Sequence, residues 1–570
     1  MKGAHEVPPP EPPDGDDSVS GDKRDRSQAE RLIEMVTTQG VTLFHAPDST
    51  AYAIAPIGGK QQVLELRAKR FRSMLYRLFY DAHGKPPGNQ AVQDALGVLE
   101  AKALFEGHER PVHVRLAEHD GKIYVDLADE HWRIVEIDTN GWRVIDRAPV
   151  MFRRPKGLAA LPVPIHGGSL HELLAFVNVD EDEWPLLVGF LLACLSPTGP
   201  YPLLVIVAEQ GAGKSSQARM LKQLVDPNMA PLRSAPRDER DLLIGATNSW
   251  LLAFDNLSGV PPTLSDALCR LSTGGGYATR ELYANTEETI IDAMRPVVLT
   301  GIDDLATRAD LLDRSIVLSL PRITTESRLT ERELFEAYDE ARPRILGALL
   351  TAVAGALARL PHTKIEGKPR MADFATWATA GEDAAGLEPG SILEAYRANR
   401  ASANSLALDA SPLPHAITEF AQRAGAWEGT SGDLLNELDQ AVGETTRRHK
   451  AWPKSASSIA QKLRRIAPNL REIGVEVDFI RTSTARLVRV APRNAVMPSL
   501  PSSAPHELRQ GREGANDGSS DGTHDGAVID QRAVISPSAQ EHRPGQRNDS
   551  NDGSDGNSQP RSTPREGWPS

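Results

Sequence analysis

Ala208-Glu-Gln-Gly-Ala-Gly-Lys-Ser215 follows the apolar run 203–207 and precedes a helical pattern over 216–225. Strand, glycine-rich loop and helix in that order are what a phosphate loop requires, because backbone N–H groups and a helix N-terminus gather round the anion while glycines let the backbone come close. Gly211 and Gly213 supply the space, Lys214 a charge for a γ-phosphate, Ser215 a hydroxyl for Mg²⁺, and Ser216 continues the helical turn. Ala208 opens the loop where a glycine is usual. The bland alternative is a glycine-rich turn capping an ordinary helix. The expected ligands are ATP and Mg²⁺.

Working outward, Trp250-Leu-Leu-Ala-Phe-Asp255 reads as an apolar strand ending in an acid. On a parallel strand adjacent to that of the loop, Asp255 would stand beside Ser215 and hold the metal through water; otherwise a strand-ending Asp is a cap or turn residue. Asn256 follows, where many such ATPases carry a second acid that polarises the attacking water, so the catalytic base is left open. Thr300, after the strand 296–299, is placed to sense the γ-phosphate or orient water. Arg314, at the head of the run 315–320, is placed to reach a neighbouring subunit's nucleotide. The other reading of Arg314, and of its alternative Arg308, is an ion pair with Asp310 or Asp313.

The 570 residues exceed one ordinary core and suggest roughly two to four domains. A content of 40% hydrophobic and 25% charged residues is globular, while 45 Gly and 42 Pro point to irregular segments. The net charge of -13 excludes a polycation that coats nucleic acid in bulk and leaves local basic patches as the route to DNA. Cys194 and Cys269 are too few for a disulfide framework or a cysteine zinc cluster and suit a reducing cytoplasm. No apolar secretion signal is read at the start, and the longest apolar run, 185–195, is too short to span a bilayer. A cytoplasmic protein without a membrane partner is expected.

Residues 1–27 and 493–570, rich in Pro, Gly, Ser, Asp and Asn, read as disordered tails. Residues 28–168 read as a small α+β domain with a helix over 63–80 and two hairpins, 112–116 with 123–127 about Asp120-Gly121 and 133–138 with 142–145 about Asn140-Gly141. In 169–400, two helices over 169–196 precede strand-like runs at 203–208, 251–254, 297–300 and 315–320, which alternate with helices and so imply a parallel sheet; the chain is then helical to about residue 400. Residues 411–492 outline three helices and a hairpin, a winged-helix pattern. Its third helix carries Lys462, Arg464 and Arg465, a phosphate-binding face or, alternatively, a solvated face on a protein-docking module.

Leu268-Cys-Arg-Leu-Ser-Thr-Gly-Gly-Gly-Tyr-Ala-Thr-Arg-Glu-Leu-Tyr283 lies between the acid strand and the Thr300 strand and resembles the extra motif of superfamily 3 helicases and of the poxvirus-type primase-helicases of phages and mobile elements. In that family the motif leads into a hairpin that projects into a ring channel. The order of phosphate loop, acid strand, channel motif, sensor strand and arginine is similar to the family's compact AAA+ core, and Arg237-Asp-Glu-Arg-Asp-Leu242 and Arg370-Met-Ala-Asp-Phe374 look like segments of ATP-binding proteins on such elements. The resemblance is specific over residues 170 to 400.

It implies an α/β fold with a P-loop AAA+ type ATPase core, preceded by the α+β domain and followed by the winged-helix-like domain. The implied activity is that of a DNA-stimulated ATPase and helicase or translocase in replication of a phage or mobile element. The implied partners are single-stranded and duplex DNA, further copies in a homo-oligomeric ring such as a hexamer, and a primase or other replication protein. Arg280 and Tyr283 would offer a phosphate contact and a stacking face to a single strand, the alternative being a glycine-rich turn packed between subunits. The family's sensor strand usually ends in Asn, and here Thr300-Gly301 stands there. With Asn256, this keeps a rival reading: a nucleotide-gated DNA-binding or assembly switch that unwinds nothing. A small-molecule kinase would leave the channel motif idle, and residues 28–168 show no primase site of carboxylates and histidine.

Overall fold

The computed structural model describes residues 26–493 apart from 276, 281–287, 292, 302–307, 325–328, 410 and 483–484. The expected tails lie almost wholly outside the described residues, as does Tyr283.

Gln28–Thr38 (α1) begins at a capping box in which Ser27 accepts from Glu30 N–H and Glu30 accepts from Ser27 N–H. Thr42–His45 (β1), Ala51–Ile57 (β2) and Lys60–Glu65 (β3) follow, then Lys69–His83 (α2), Asn89–Phe105 (α3) and His108–Glu109 (β4). The strands form one sheet in the order β3-β2-β1-β4. The helix expected over 63–80 begins instead at Lys69, because Val63 and Leu64 pair with Ile54 and Ala53 in a hairpin closed by Gly58 and Gly59, both at positive φ. A turn that fixes the register decides between strand and helix where apolar spacing alone is ambiguous.

Val112–His113 (β5) precedes an antiparallel meander of Leu116–His119 (β6), Lys122–Asp126 (β7), Ile134–Asp138 (β8) and Gly141–Ile145 (β9), and pairs in parallel with Met151–Phe152 (β10). The first strand of the expected hairpin is therefore displaced from 112–116 to 116–119. Arg115, with φ 66° and no exposed surface, interrupts the strand. The meander's Ile123, Val125, Val135, Ile137 and Trp142 belong to the same buried core as residues 161–396, whereas β2 and β3 close a separate core with α1 to α3. The meander thus packs with downstream elements, although the sequence groups it with upstream ones.

The expected pair of helices over 169–196 is a 3-10 helix, Leu170–Ala175, and a helix, Trp184–Cys194 (α4), buried at every position but Pro185. Next come Leu203–Val207 (β11), Lys214–Val225 (α5), Glu239–Asn248 (α6), Leu252–Leu257 (β12), Pro262–Thr273 (α7), the hairpin Tyr277–Arg280 (β13) with Glu288–Ile291 (β14), Val297–Gly301 (β15), Ala309–Leu312 (α8) and Ser315–Ser319 (β16). Strands β12, β15, β11 and β16 pair in parallel in that order. Leu204, Ile206 and Val298 face one core while Leu203, Val205 and Val297 face another, as expected of a parallel sheet covered on both sides. The acid strand β12 is not adjacent to β11, since β15 lies between them.

Glu331–Arg359 (α9) packs against β8 and β9 of the meander, Ala372–Gly381 (α10) against α4 and α9, and Ser391–Asp409 (α11) against α4 and β16. The helical stretch Glu331–His362 is long and apolar enough to cross a membrane by composition, yet 56% of its apolar window is buried in the fold. Gly347 on α9 admits the Ile165 carbonyl, which would stand 1.9 Å from a Cβ there. The last unit is Pro412–Ala424 (α12), Trp427–Thr430 (β17), Ser431–Ala441 (α13), Glu444–Arg448 (α14), Ala456–Glu472 (α15), Val475–Arg481 (β18) and Arg486–Pro492 (β19). Its sheet runs β17-β19-β18, all antiparallel, over a separate core that includes Ile417, Phe420, Leu434, Leu463 and Val477. The molecule is mixed α/β with a four-stranded parallel sheet at its centre.

Candidate functional site

The loop between β11 and α5 sits at the carboxyl ends of the parallel strands, where open α/β sheets present their ligand crevice. Gly211 and Gly213 have φ of 87° and 83°, a left-handed backbone that bends the chain back on itself before α5 begins. Lys214 Nζ donates to the carbonyls of Ala208 at 2.7 Å and Glu209 at 2.8 Å. Ser216 and Gln217 continue into α5, and the loop from Gly211 to Ser216 lines a cavity of about 760 Å³.

Ser215 Oγ donates to Asp255 Oδ1 at 2.9 Å. Thr300 Oγ1 donates to the same oxygen and accepts from Asn256 N–H at 3.0 Å. The loop, the acid strand and the Thr300 strand are therefore joined by one chain of hydrogen bonds, even though β15 intervenes. The strand β12 does not end at the acid. Its register against β15 shifts between Phe254 and Leu257, and Asn256 takes φ 56°. Such a bulge re-aims side chains near a site, and here it brings the Asp255 carboxylate to Ser215. Among the described residues no three His, Cys, Asp or Glu side chains converge as a metal cluster. A magnesium ion at this point would take Ser215 Oγ and the Asp255 carboxylate from the protein and its other oxygens from phosphates and water, which is how Mg²⁺ is usually held.

A buried carboxylate fixes the far ends of these elements. Asp226, at the C-terminus of α5, accepts from Lys222 Nζ at 2.6 Å, Arg115 Nε at 3.0 Å, Trp250 N–H at 2.9 Å and Leu251 N–H at 3.1 Å. Burial drives the Asp226 carboxyl upward, and Lys222 and Arg115 overcome it to hold the group below the usual range; burial pushes the Lys222 ammonium down. The helix that follows the 208–213 loop and the strand of Asp255 thus share one anchor.

Several lining residues carry no sequence signal. Asn178 donates through Nδ2 to Ala212 O at 3.3 Å and Pro321 O at 2.6 Å, and its N–H donates to Gln217 Oε1 at 3.0 Å. Phe176, Val177, Ile323, Leu329 and Leu334 give the cavity apolar lining, and Arg322 lines it with the loop. They arrive from stretches remote in sequence, so no local pattern marks them.

Arg314 stands at the opposite end of the sheet. Its carbonyl accepts from Leu203 N–H at 2.9 Å, level with the first residue of β11, and its Nη1 donates to Asp310 O at 2.9 Å. Arg308 pairs with Asp310 and Asp266. Arg280 is the last residue of β13, in the hairpin that follows α7. The three cations of α15 do not make one free face. Lys462 Nζ donates to Ala451 O, Arg465 lies 3.6 Å from Asp310, and exposed Arg464 stacks over the Phe479 ring at 4.9 Å.

No curated protein matches the chain. Among solved structures, the A form apo structure of the NrS-1 C-terminal region is 12% identical, with coverage of 82% of this chain and 100% of that one and a TM-score of 0.34. A second apo structure of that region is 11% identical, with the same coverage and TM-score. At that superposition the likeness carries no argument about the site. A family model described as an actinomycete integrative conjugative element replication protein matches residues 169–407, and a model of the RepA C-terminal domain of such elements matches residues 413–504. The two matches take in more than half of the chain, including the loop, the sheet and the C-terminal unit, and the chain is a replication protein of a mobile element.

Proposed function

We propose that this replication protein is an ATP-dependent DNA helicase or translocase built on a P-loop AAA+ type core, and that it works as a homo-oligomeric ring. The observation that carries the reading is the hydrogen-bonded chain Ser215–Asp255–Thr300 at the N-terminus of α5. ATP would lie with its phosphates against Gly211, Gly213, Lys214, Ser215 and Ser216 and its base against the apolar lining that includes Phe176 and Leu334. Lys214 would turn from the loop carbonyls to the γ-phosphate, and Mg²⁺ between Ser215 and Asp255 would neutralise charge on the phosphate oxygens. Thr300 holds the Asp255 carboxylate in place, and its position at the end of β15 suits a sensor of the phosphate.

Arg314 is remote from the loop of its own chain, so a catalytic role for it requires a neighbouring copy. The β13–β14 hairpin with Arg280, and Tyr283 beyond the described residues, would meet single-stranded DNA in the ring. The winged-helix-like unit would meet duplex DNA, with a primase or other replication protein as a further partner and the cytoplasm as the setting. A second reading is favoured by Asn256, whose N–H is committed to Thr300 and whose side chain is no base: a nucleotide-gated DNA-binding or assembly switch without unwinding. Displacement of a labelled strand from a forked duplex separates the two. The helicase reading predicts ATP-dependent displacement lost in Lys214→Ala; ATP-dependent DNA binding without displacement would establish the switch.

A further inference from the structure

We propose that Arg322 is the second cation of the phosphate site, acting in the same chain as Lys214 and kept there by Asn178 as a positioning residue. The inference rests on the nucleotide reading above and adds a group that distinguishes a triphosphate from a diphosphate.

Arg322 lies just beyond the end of β16. Leu320 N–H donates to Val207 O at 3.0 Å, so the exit of β16 stays beside the entrance of the phosphate loop. Both neighbours of Arg322 are then fixed against that loop. The Pro321 carbonyl accepts from Asn178 Nδ2, which also donates to Ala212 O in the loop. On the other side, Ile323 Cδ1 stands 3.3 Å from the place a Cβ would take on Gly213. Asn178 is held in turn by Gln217, a buried residue of α5. Between these fixed points Arg322 lines the cavity together with residues Gly211 to Ser216 and Asn256.

Among the described residues Arg322 has no hydrogen-bond or ion-pair partner and is exposed to the cavity, whereas Arg219 nearby on α5 is paired with Glu331 at 2.7 Å. A guanidinium presents a planar fork of N–H donors that fits two phosphate oxygens at once. A loop whose glycines and helix N-terminus already surround one phosphate leaves the terminal phosphate to side chains, and a cation there acts on the oxygens that gather charge as the bond to the leaving diphosphate breaks. Arg314 cannot serve this purpose within one chain, since the length of β11 separates it from the loop.

The test measures binding of ADP and of a non-hydrolysable ATP analogue to the full chain, with ATP hydrolysis alongside, for wild type, Arg322→Ala, Arg322→Lys, Asn178→Ala and Lys214→Ala. For Arg322→Ala, ADP affinity should hold while analogue affinity and hydrolysis fall roughly ten- to hundredfold, the span of one charge-assisted contact. Arg322→Lys should recover part of the loss, and Asn178→Ala should show the same preference for ADP in milder form. Mixing Arg322→Ala with Lys214→Ala protein should not restore hydrolysis, because both residues serve one chain's pocket. Unchanged discrimination between analogue and ADP in Arg322→Ala, or hydrolysis restored by the mixture, would overturn the inference while leaving the nucleotide site standing. Wild type that binds neither nucleotide would overturn the site itself and the inference with it.

Discussion

Lys214 spends its ammonium on two carbonyls of its own loop, Ala208 and Glu209, a weaker pairing than a charge-assisted contact with a triphosphate. Lys214→Ala should therefore fold with an unchanged melting temperature and hydrolyse no ATP; hydrolysis at the wild-type rate would remove the loop from the account. Glu183 makes a separate prediction. Burial, then the Asp180 charge, raise its carboxyl from 4.5 to about 7 against the opposing hydrogen bond from Ser319 N–H. The folded state thus holds the proton more tightly than the unfolded chain, so this contribution to stability is complete below about pH 4.5 and is lost as pH rises through 7. Glu183→Gln keeps an acceptor for Ser319 and has no proton to lose, so its melting temperature should fall less than that of wild type between pH 5 and 7.5. Parallel pH profiles for the two would exclude the assignment. Sequence alone picks out Lys214, Ser215 and Asp255 because their chemistry is written in consecutive residues on a strand, a loop and a helix. Asn178 and Arg322 are invisible to that reading, since what makes them site residues is a fold that brings residues 178, 212 and 321 together.

Elements show the same division. The strands of the parallel sheet are legible as short apolar runs, but the bulge in β12 is not: nothing in Phe254-Asp-Asn-Leu257 announces that the register shifts there. The start of α2 is misread for a related reason, because Val63 and Leu64 fit an apolar helix face until the Gly58-Gly59 turn pairs them with β2. The anchor joining α5 to β12 is testable. Asp226→Ala leaves Arg115 and Lys222 buried without their carboxylate, and loss of one partner from a buried ionic group costs about 3–5 kcal/mol; denaturant unfolding should show it, and a change below 1 kcal/mol would contradict the role given to the cluster. On α15 the cations divide by what they touch. Arg464→Ala should weaken duplex DNA binding and lower its log–log salt slope by about one, while Lys462→Ala, whose ammonium is already engaged with Ala451 O, should leave the slope unchanged. Equal effects from both would contradict the division between the two cations, and no effect from Arg464 would remove this helix from duplex DNA binding.

At the scale of the whole molecule, the site joins stretches of chain that pack in different layers. The meander β6–β9 shares its core with α4 and α9, and Arg115, just ahead of β6, reaches the anchor at the end of α5. Residues 110–160, which the sequence read in order assigns to a separate domain, are therefore part of the frame of the 208–213 loop. The C-terminal unit keeps its own core but touches the sheet layer where Arg465 meets Asp310 of α8, the short helix that leads to Arg314. If this replication protein moves along DNA as proposed, its hydrolysis must depend on the strand it holds. The most direct measurement is the steady-state rate of ATP hydrolysis by the full-length protein with and without single-stranded DNA, with Lys214→Ala as the blank. A DNA-dependent motor should hydrolyse ATP above the blank at a rate that rises several-fold with DNA; a rate above the blank that DNA leaves unchanged, or no hydrolysis above the blank under either condition, would contradict the proposed function.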